Sequence, residues 1–186
     1  LARNPLAIKR RIGVVPEDLC LFENLTAREY LTFIGRMYKL PAKVSLQRAD
    51  ELLDLLGLAE AERTLAIGYS HGMKKKLALA AALIHDPELL FLDEPFEGID
   101  AIASRTIRAV LERLVERGAT IFLTSHILEI VERLCTHVGI IVEGKLACQG
   151  RLDEVAAGGT LEEAFVSAAG AQEETLVRLS WLGGAA

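Results

Sequence analysis

The sequence predicts an α/β fold, a largely parallel sheet with a helical segment inserted into it. Three observations carry that expectation. Leu89-Leu90-Phe91-Leu92 is an unbroken apolar run ending in Asp93-Glu94-Pro95, the pattern of a short strand buried on both faces. A second such run, Ala119-Thr120-Ile121-Phe122-Leu123-Thr124, follows an amphipathic helical stretch, so strands and helices alternate. Between Thr26 and Leu56, by contrast, two helical patterns follow one another with no strand between them.

Composition sets the bounds. The 186 residues suffice for one domain with its own core; 51% are hydrophobic, 25% charged and only 5% aromatic. No apolar run approaches the roughly 20 residues that span a bilayer, and no signal-peptide pattern opens the chain. A soluble, cytosolic protein is therefore expected. A net charge of −5 gives no reason to expect nucleic acid as a partner. Cys20, Cys135 and Cys148 are odd in number and far apart, which argues against a disulfide framework or a zinc knuckle.

Taken in order, Ile12-Gly13-Val14-Val15 reads as a strand stopped by Pro16, with Glu17 and Asp18 at its end. Thr26-Ala27-Arg28-Glu29 is a capping box opening a helix whose inward residues are Tyr30, Leu31, Ile34, Met37 and Tyr38. A second helix over about 45–56 turns Leu46, Ala49, Leu52, Leu53 and Leu56 inward, with Gly57 past its end. Ser70 is a good N-cap for the alanine-rich helix that follows. Lys74, Lys75 and Lys76 in its first turn oppose the helix dipole, a cost easier to understand beside a polyphosphate, although a solvated basic face is the simpler reading. After the 89–93 strand, a helix up to Arg117 presents Ile102, Ile107, Val110, Leu111, Leu114 and Val115 inward. The 119–124 strand reads as buried and ends in Ser125-His126. Gly144 suggests a hairpin between two late strands. Thr160-Leu161-Glu162-Glu163 is a second capping box, and residues 170–186 are expected to fray.

Ligands of open parallel sheets sit beyond the carboxyl ends of the strands. Asp93 and Glu94 are delivered there, although a helix-capping aspartate beside a solvated glutamate would give the same pattern. His85 and His137 have no such context and read as structural or solvated.

In this order the motifs resemble those of the ATP-binding subunits of ATP-binding-cassette (ABC) transporters, over about Ile12 to Phe165. Leu89 to Pro95 resembles the Walker B strand. Tyr69-Ser70-His71-Gly72-Met73 resembles the signature sequence, Phe96 to Asp100 the loop after Walker B, and Thr124-Ser125-His126 the switch histidine. Val15-Pro16-Glu17 stands where the family has its glutamine loop. The resemblance implies a P-loop-NTPase-like sheet, N-terminally incomplete, with a helical subdomain over about 22–86. It implies ATP as substrate and Mg²⁺ as cofactor, with Asp93 and Glu17 as metal ligands, Glu94 as general base and His126 at the γ-phosphate. Ser70, His71, Gly72, Met73 and Asp100 would contact nucleotide, the signature completing the pocket of a second ATP-binding subunit in a head-to-tail homodimer or heterodimer. Glu17, Asp18 and Phe22 would dock a transmembrane permease subunit, placing the protein on the cytoplasmic face of the cell membrane. With Pro16-Glu17 and the Leu161-Glu162-Glu163-Ala164-Phe165 ending, the chain is similar to exporters of drugs, lipids or polysaccharides.

Two positions depart from the family pattern: glutamate replaces glutamine at Glu17, and His71 takes one place of the Gly-Gly pair. A larger departure is that no Gly-x-x-x-x-Gly-Lys-Ser/Thr occurs in the 186 residues. The expectation is therefore an N-terminally truncated piece of a longer ATPase, inactive alone, with residues 1–150 a partial nucleotide-binding domain and 151–186 a C-terminal helical extension and tail. A non-catalytic dimerisation fragment and a soluble ABC ATPase unconnected with transport remain open alternatives.

Overall fold

Three parallel strands set the frame: β1 (Ile12–Val15), β2 (Leu89–Asp93) and β3 (Thr120–Thr124), side by side in that order. They belong to a computed structural model that describes residues 4–170 and divides into two units, Leu1–His126 and Ile127–Ala186. Val15 pairs with Leu92 and Asp93 with Thr124, so all three strands finish at one level.

Helices α1 (Pro5–Lys9), α2 (Ala27–Met37), α3 (Ala42–Leu55), α4 (His71–Leu83) and α5 (Ala101–Glu116) complete the first unit. The sequence reading missed α1. Its signals were Asn4, whose side chain accepts the Ala7 N–H at 3.2 Å, and a proline at the first helical position. α2 opens with the expected capping box: Thr26 Oγ1 accepts from the Glu29 N–H, and the Glu29 carboxylate accepts from the Thr26 N–H at 2.9 Å. α4 forms the centre of this unit, with every residue from Leu77 to Ile84 buried. It lies so close to β1 that a Cβ on Gly13 would collide with the Ala82 carbonyl oxygen, so only glycine fits there. His85 stacks on Tyr38 with ring centroids 3.6 Å apart and sets Nε2 3.1 Å from the Ile12 carbonyl oxygen, tying the helical insertion to β1. Burial pushes its pKa below the usual histidine value.

Burial corrects several expectations. β2 is covered on one face only: Leu90 and Leu92 are buried, whereas Phe91 is 39% exposed. β3 is not a buried strand either, since Phe122 is exposed. In both, the alternation of side chains puts one apolar row on an open face. Met37, Leu46, Ile102 and Val115 are exposed as well. On α5 the packed stripe is Ala103, Ile107 and Leu111, a strict i, i+4, i+8 row that leaves Ile102 outside it.

The second unit contains α6 (Leu128–Leu134), the antiparallel pair β4 (His137–Val142) and β5 (Lys145–Arg151), α7 (Leu152–Val155) and α8 (Leu161–Ala168). Glu143 and Gly144 both take positive φ, the two-residue turn that suits a twisted hairpin. α8 carries its capping box, with Glu163 accepting from the Thr160 N–H at 3.0 Å. The three cysteines are free thiols. The stretch from 171 onward, expected to fray, lies outside the described residues.

Candidate functional site

The carboxyl ends of β2 and β3 bring Asp93, Glu94, Thr124 and His126 together. Asp93 and Thr124 are register partners, and the Thr124 hydroxyl donates to Asp93 Oδ1. Glu94 is half-buried, with 17% of its side chain exposed. Its Oε1 accepts the His126 backbone N–H at 2.8 Å and lies 3.0 Å from His126 Nδ1. The residue has φ +44°, a left-handed conformation that a non-glycine side chain occupies at a cost and that is common where function fixes geometry. Pro95 follows at once, so the strained turn throws the Glu94 carboxylate across to the end of β3.

Through that contact Glu94 raises the pKa of His126, first by the hydrogen bond and then by its charge, with Glu97 and Glu17 adding to the effect. The site thus holds an exposed imidazole that favours protonation and a sheltered carboxylate that shares its proton donors. Glu17 leaves the end of β1, whose last residue is paired with Leu92, next to Asp93 in sequence. Among the described residues no three His, Cys, Asp or Glu side chains converge as a metal cage. Magnesium does not require one: it takes one or two carboxylates and fills its octahedron with water and phosphate oxygens. Asp93, with one oxygen anchored by Thr124, fits that demand.

The residues that resemble the signature sequence open α4. Ser70 caps it, Oγ accepting the Met73 N–H at 3.3 Å, and His71, Gly72 and Met73 form its first turn. Gly72 lies against the loop after β2: a Cβ there would come within 2.6 Å of the Gly98 carbonyl oxygen. His71 sits over Gly98, so close that a Cβ on that glycine would be 3.0 Å from His71 Cδ2. The extra side chain is accommodated by lying across the loop.

The three lysines do not form a solvated face. Lys74 pairs with Glu23, Lys76 Nζ lies 3.0 Å from Asp100, and Lys75 is buried with Glu97 at 3.8 Å. The acids on neighbouring loops offset the unfavourable dipole, a pairing that local sequence does not reveal. Asp100 also caps α5, accepting the Ala103 N–H at 2.8 Å; this bond and then Lys76 hold its carboxyl below the usual range. Glu17 and Asp18 are exposed, and Phe22 lies edge-on to Phe33, centroids 5.5 Å apart, and beside Tyr30. With Met37, this makes an exposed aromatic and sulfur-bearing patch on α2. Thr124, Lys75 and Glu97 stand in the sequence only as members of runs, with no role of their own at the site. Only the parallel register exposes Thr124, and only packing exposes the other two.

Comparison with known proteins gives a consistent result. Residues 3–97 match the family model described as ABC transporter. The chain is 43% identical over 150 residues to an uncharacterized ABC transporter ATP-binding protein of Nostoc, covering 80% of this chain and 45% of the relative. It is 38% identical to the linearmycin resistance ATP-binding protein LnrL of Bacillus subtilis, over 92% of this chain and 55% of the relative. With the bacitracin transport ATP-binding protein BcrA of Bacillus licheniformis it shares 43% identity, over 77% of this chain and 46% of that one. The chain thus spans about half the length of these curated relatives. A solved structure described as the ATP binding subunit of an ABC transporter superposes with TM-score 0.82 at 29% identity, over 89% of this chain and 71% of that one.

Proposed function

The chain belongs to the ABC transporter ATP-binding family, and from that premise we propose that it supplies one wall of an ATPase site that drives export across a membrane. The meeting of Asp93, Glu94 and His126 at the ends of two parallel strands carries this reading. Asp93 and Glu17 would hold Mg²⁺, which when bound neutralises charge on the phosphate oxygens. Glu94 orients the attacking water and takes its proton, a role helped by its sheltered carboxylate. His126 donates from its imidazole toward the terminal phosphate. Ser70 and the free N–H groups of the first turn of α4 present an anion site to the nucleotide of a second ATP-binding subunit.

The Phe22–Phe33–Met37 patch, with Glu17 and Asp18 on the preceding loop, is the surface offered to a permease subunit, which would hold the chain at the cytoplasmic face of a membrane. Among the described residues no helix is long and apolar enough to cross one. The names of the linearmycin and bacitracin relatives favour antibiotic-like cargo, selected by the permease.

Because the 186 residues contain no phosphate-cradling Gly-x-x-x-x-Gly-Lys-Ser/Thr, the chain by itself should neither bind ATP at micromolar concentration nor hydrolyse it. Calorimetry on the purified chain tests the first point. Joined to a phosphate-binding loop of the family, it should show Mg²⁺-dependent turnover, which Glu94→Gln abolishes while ATP binding persists. Hydrolysis by that variant at the unsubstituted rate would remove Glu94 from the role of base.

A further inference from the structure

Lys75 is among the most buried side chains of the first unit, 1% exposed. Its Nζ has no hydrogen-bond partner among the described residues, and its ion pair is with Glu97, Oε2 at 3.8 Å. A buried ammonium left without hydrogen bonds is among the costlier features a core can carry. What it faces is the loop 94–100, and that loop is held to α4 at two more points: Gly72 against the Gly98 carbonyl, and Lys76 against Asp100. Within the loop the Glu97 N–H donates to the Glu94 carbonyl oxygen at 3.3 Å. Glu97 is thus one hydrogen bond from the residue with the left-handed backbone.

The geometry points to Lys75 as a positioning residue for Glu94. From the core side its ammonium holds Glu97, and through Glu97 the turn that keeps the Glu94 carboxylate on His126. The first turn of α4 and the carboxylate therefore move together: a displacement of the signature residues is passed to Glu94 inside one chain. The catalytic consequence rests on the reading of Glu94 as the reacting carboxylate. The tether itself needs no nucleotide and is testable in the chain as it stands.

The test follows His126 by NMR in the 186-residue chain. Its imidazole is faced by Glu94, Glu97 and Glu17, and its backbone N–H is held by Glu94. Lys75→Met should lower the His126 titration midpoint, and Lys75→Arg should restore it. The sign is diagnostic, because removing a cation directly would raise the midpoint, whereas losing the Glu94 contact lowers it. The His126 amide should exchange roughly two- to tenfold faster in Lys75→Met, the range expected for losing one modest hydrogen bond. Glu97→Gln changes an exposed residue and should accelerate the same amide, which keeps the test decisive should Lys75→Met fail to fold. A midpoint in Lys75→Met that stays or rises, or an amide rate unchanged in Glu97→Gln, would overturn the assignment. Failure of the Glu94→Gln hydrolysis test alone would leave the tether standing and remove only its catalytic meaning.

Discussion

On one face of the three-stranded sheet, Gly13, Val15, Leu90 and Leu92 are buried, with α4 pressed on β1. On the other, Val14, Phe91 and Phe122 remain 57%, 39% and 59% exposed, the two phenylalanine rings 5.9 Å apart. By strand alternation Asp93 shares the row of Phe91, and its register partner Thr124 the row of Phe122. The difference separates two tasks within single strands. The closed face supplies the packing that holds β1 and β2 in register. The open face carries the anchored carboxylate to the sheet's end and leaves it accessible.

The largest test of that division is a pair of truncations. Leu90→Ala should cost about 2–5 kcal/mol in urea unfolding, as for other fully buried leucines. Phe122→Ala, which removes a larger side chain, should cost less than about 1 kcal/mol. Equal losses would mean that the open face is covered in solution. Next in size is Gly13→Ala. One added methyl meets the Ala82 carbonyl, and the forced retreat of α4 from β1 should cost about 1–3 kcal/mol. A neutral outcome would show that the two elements are not in fixed contact.

The smallest effect separates the two histidines. His126 has its pKa raised by Glu94, so its pairing stabilises the fold fully below the unfolded value of about 6.5 and is lost as pH rises through the elevated folded midpoint. His85, lowered by burial, acts in the opposite direction. As pH falls below about 6.5 the unfolded chain takes up a proton that the packed ring resists, and stability declines until the folded midpoint is passed. Unfolding measured from pH 5 to 8 should therefore lose its high-pH decline in His126→Gln and its low-pH decline in His85→Gln. If both substitutions altered the same limb, the sheltered and the exposed imidazole would not differ as the geometry requires.

Much of this was legible in the chain. Capping is a local matter, and Thr26, Ser70 and Thr160 each cap a helix through a bond to the N–H three residues on. The hairpin at Gly144 and the parallel strands around Leu89 followed from the same short-range signals. Asp93, Glu94 and His126 were legible as candidates because a strand's carboxyl end is where an open parallel sheet presents its ligands. Their convergence was not, since Glu94 reaches His126 only through a positive φ that its sequence neighbours do not announce.

The lysines mark the boundary most clearly. Lys74-Lys75-Lys76 is one run of like charge in the sequence, and nothing local distinguishes its members. Packing sends them to three acids, Glu23, Glu97 and Asp100, and buries only the middle one. The sequence by itself determined the periodicities, the caps and the family to which the motifs belong, because those depend on residues within a few positions of each other. Only the tertiary structure decided which apolar row is covered, which lysine is buried and which proton donors Glu94 meets. Those outcomes are set by elements that pack from 20 to 80 positions away, and pairwise burial and charge over such separations leave no periodic trace in the chain.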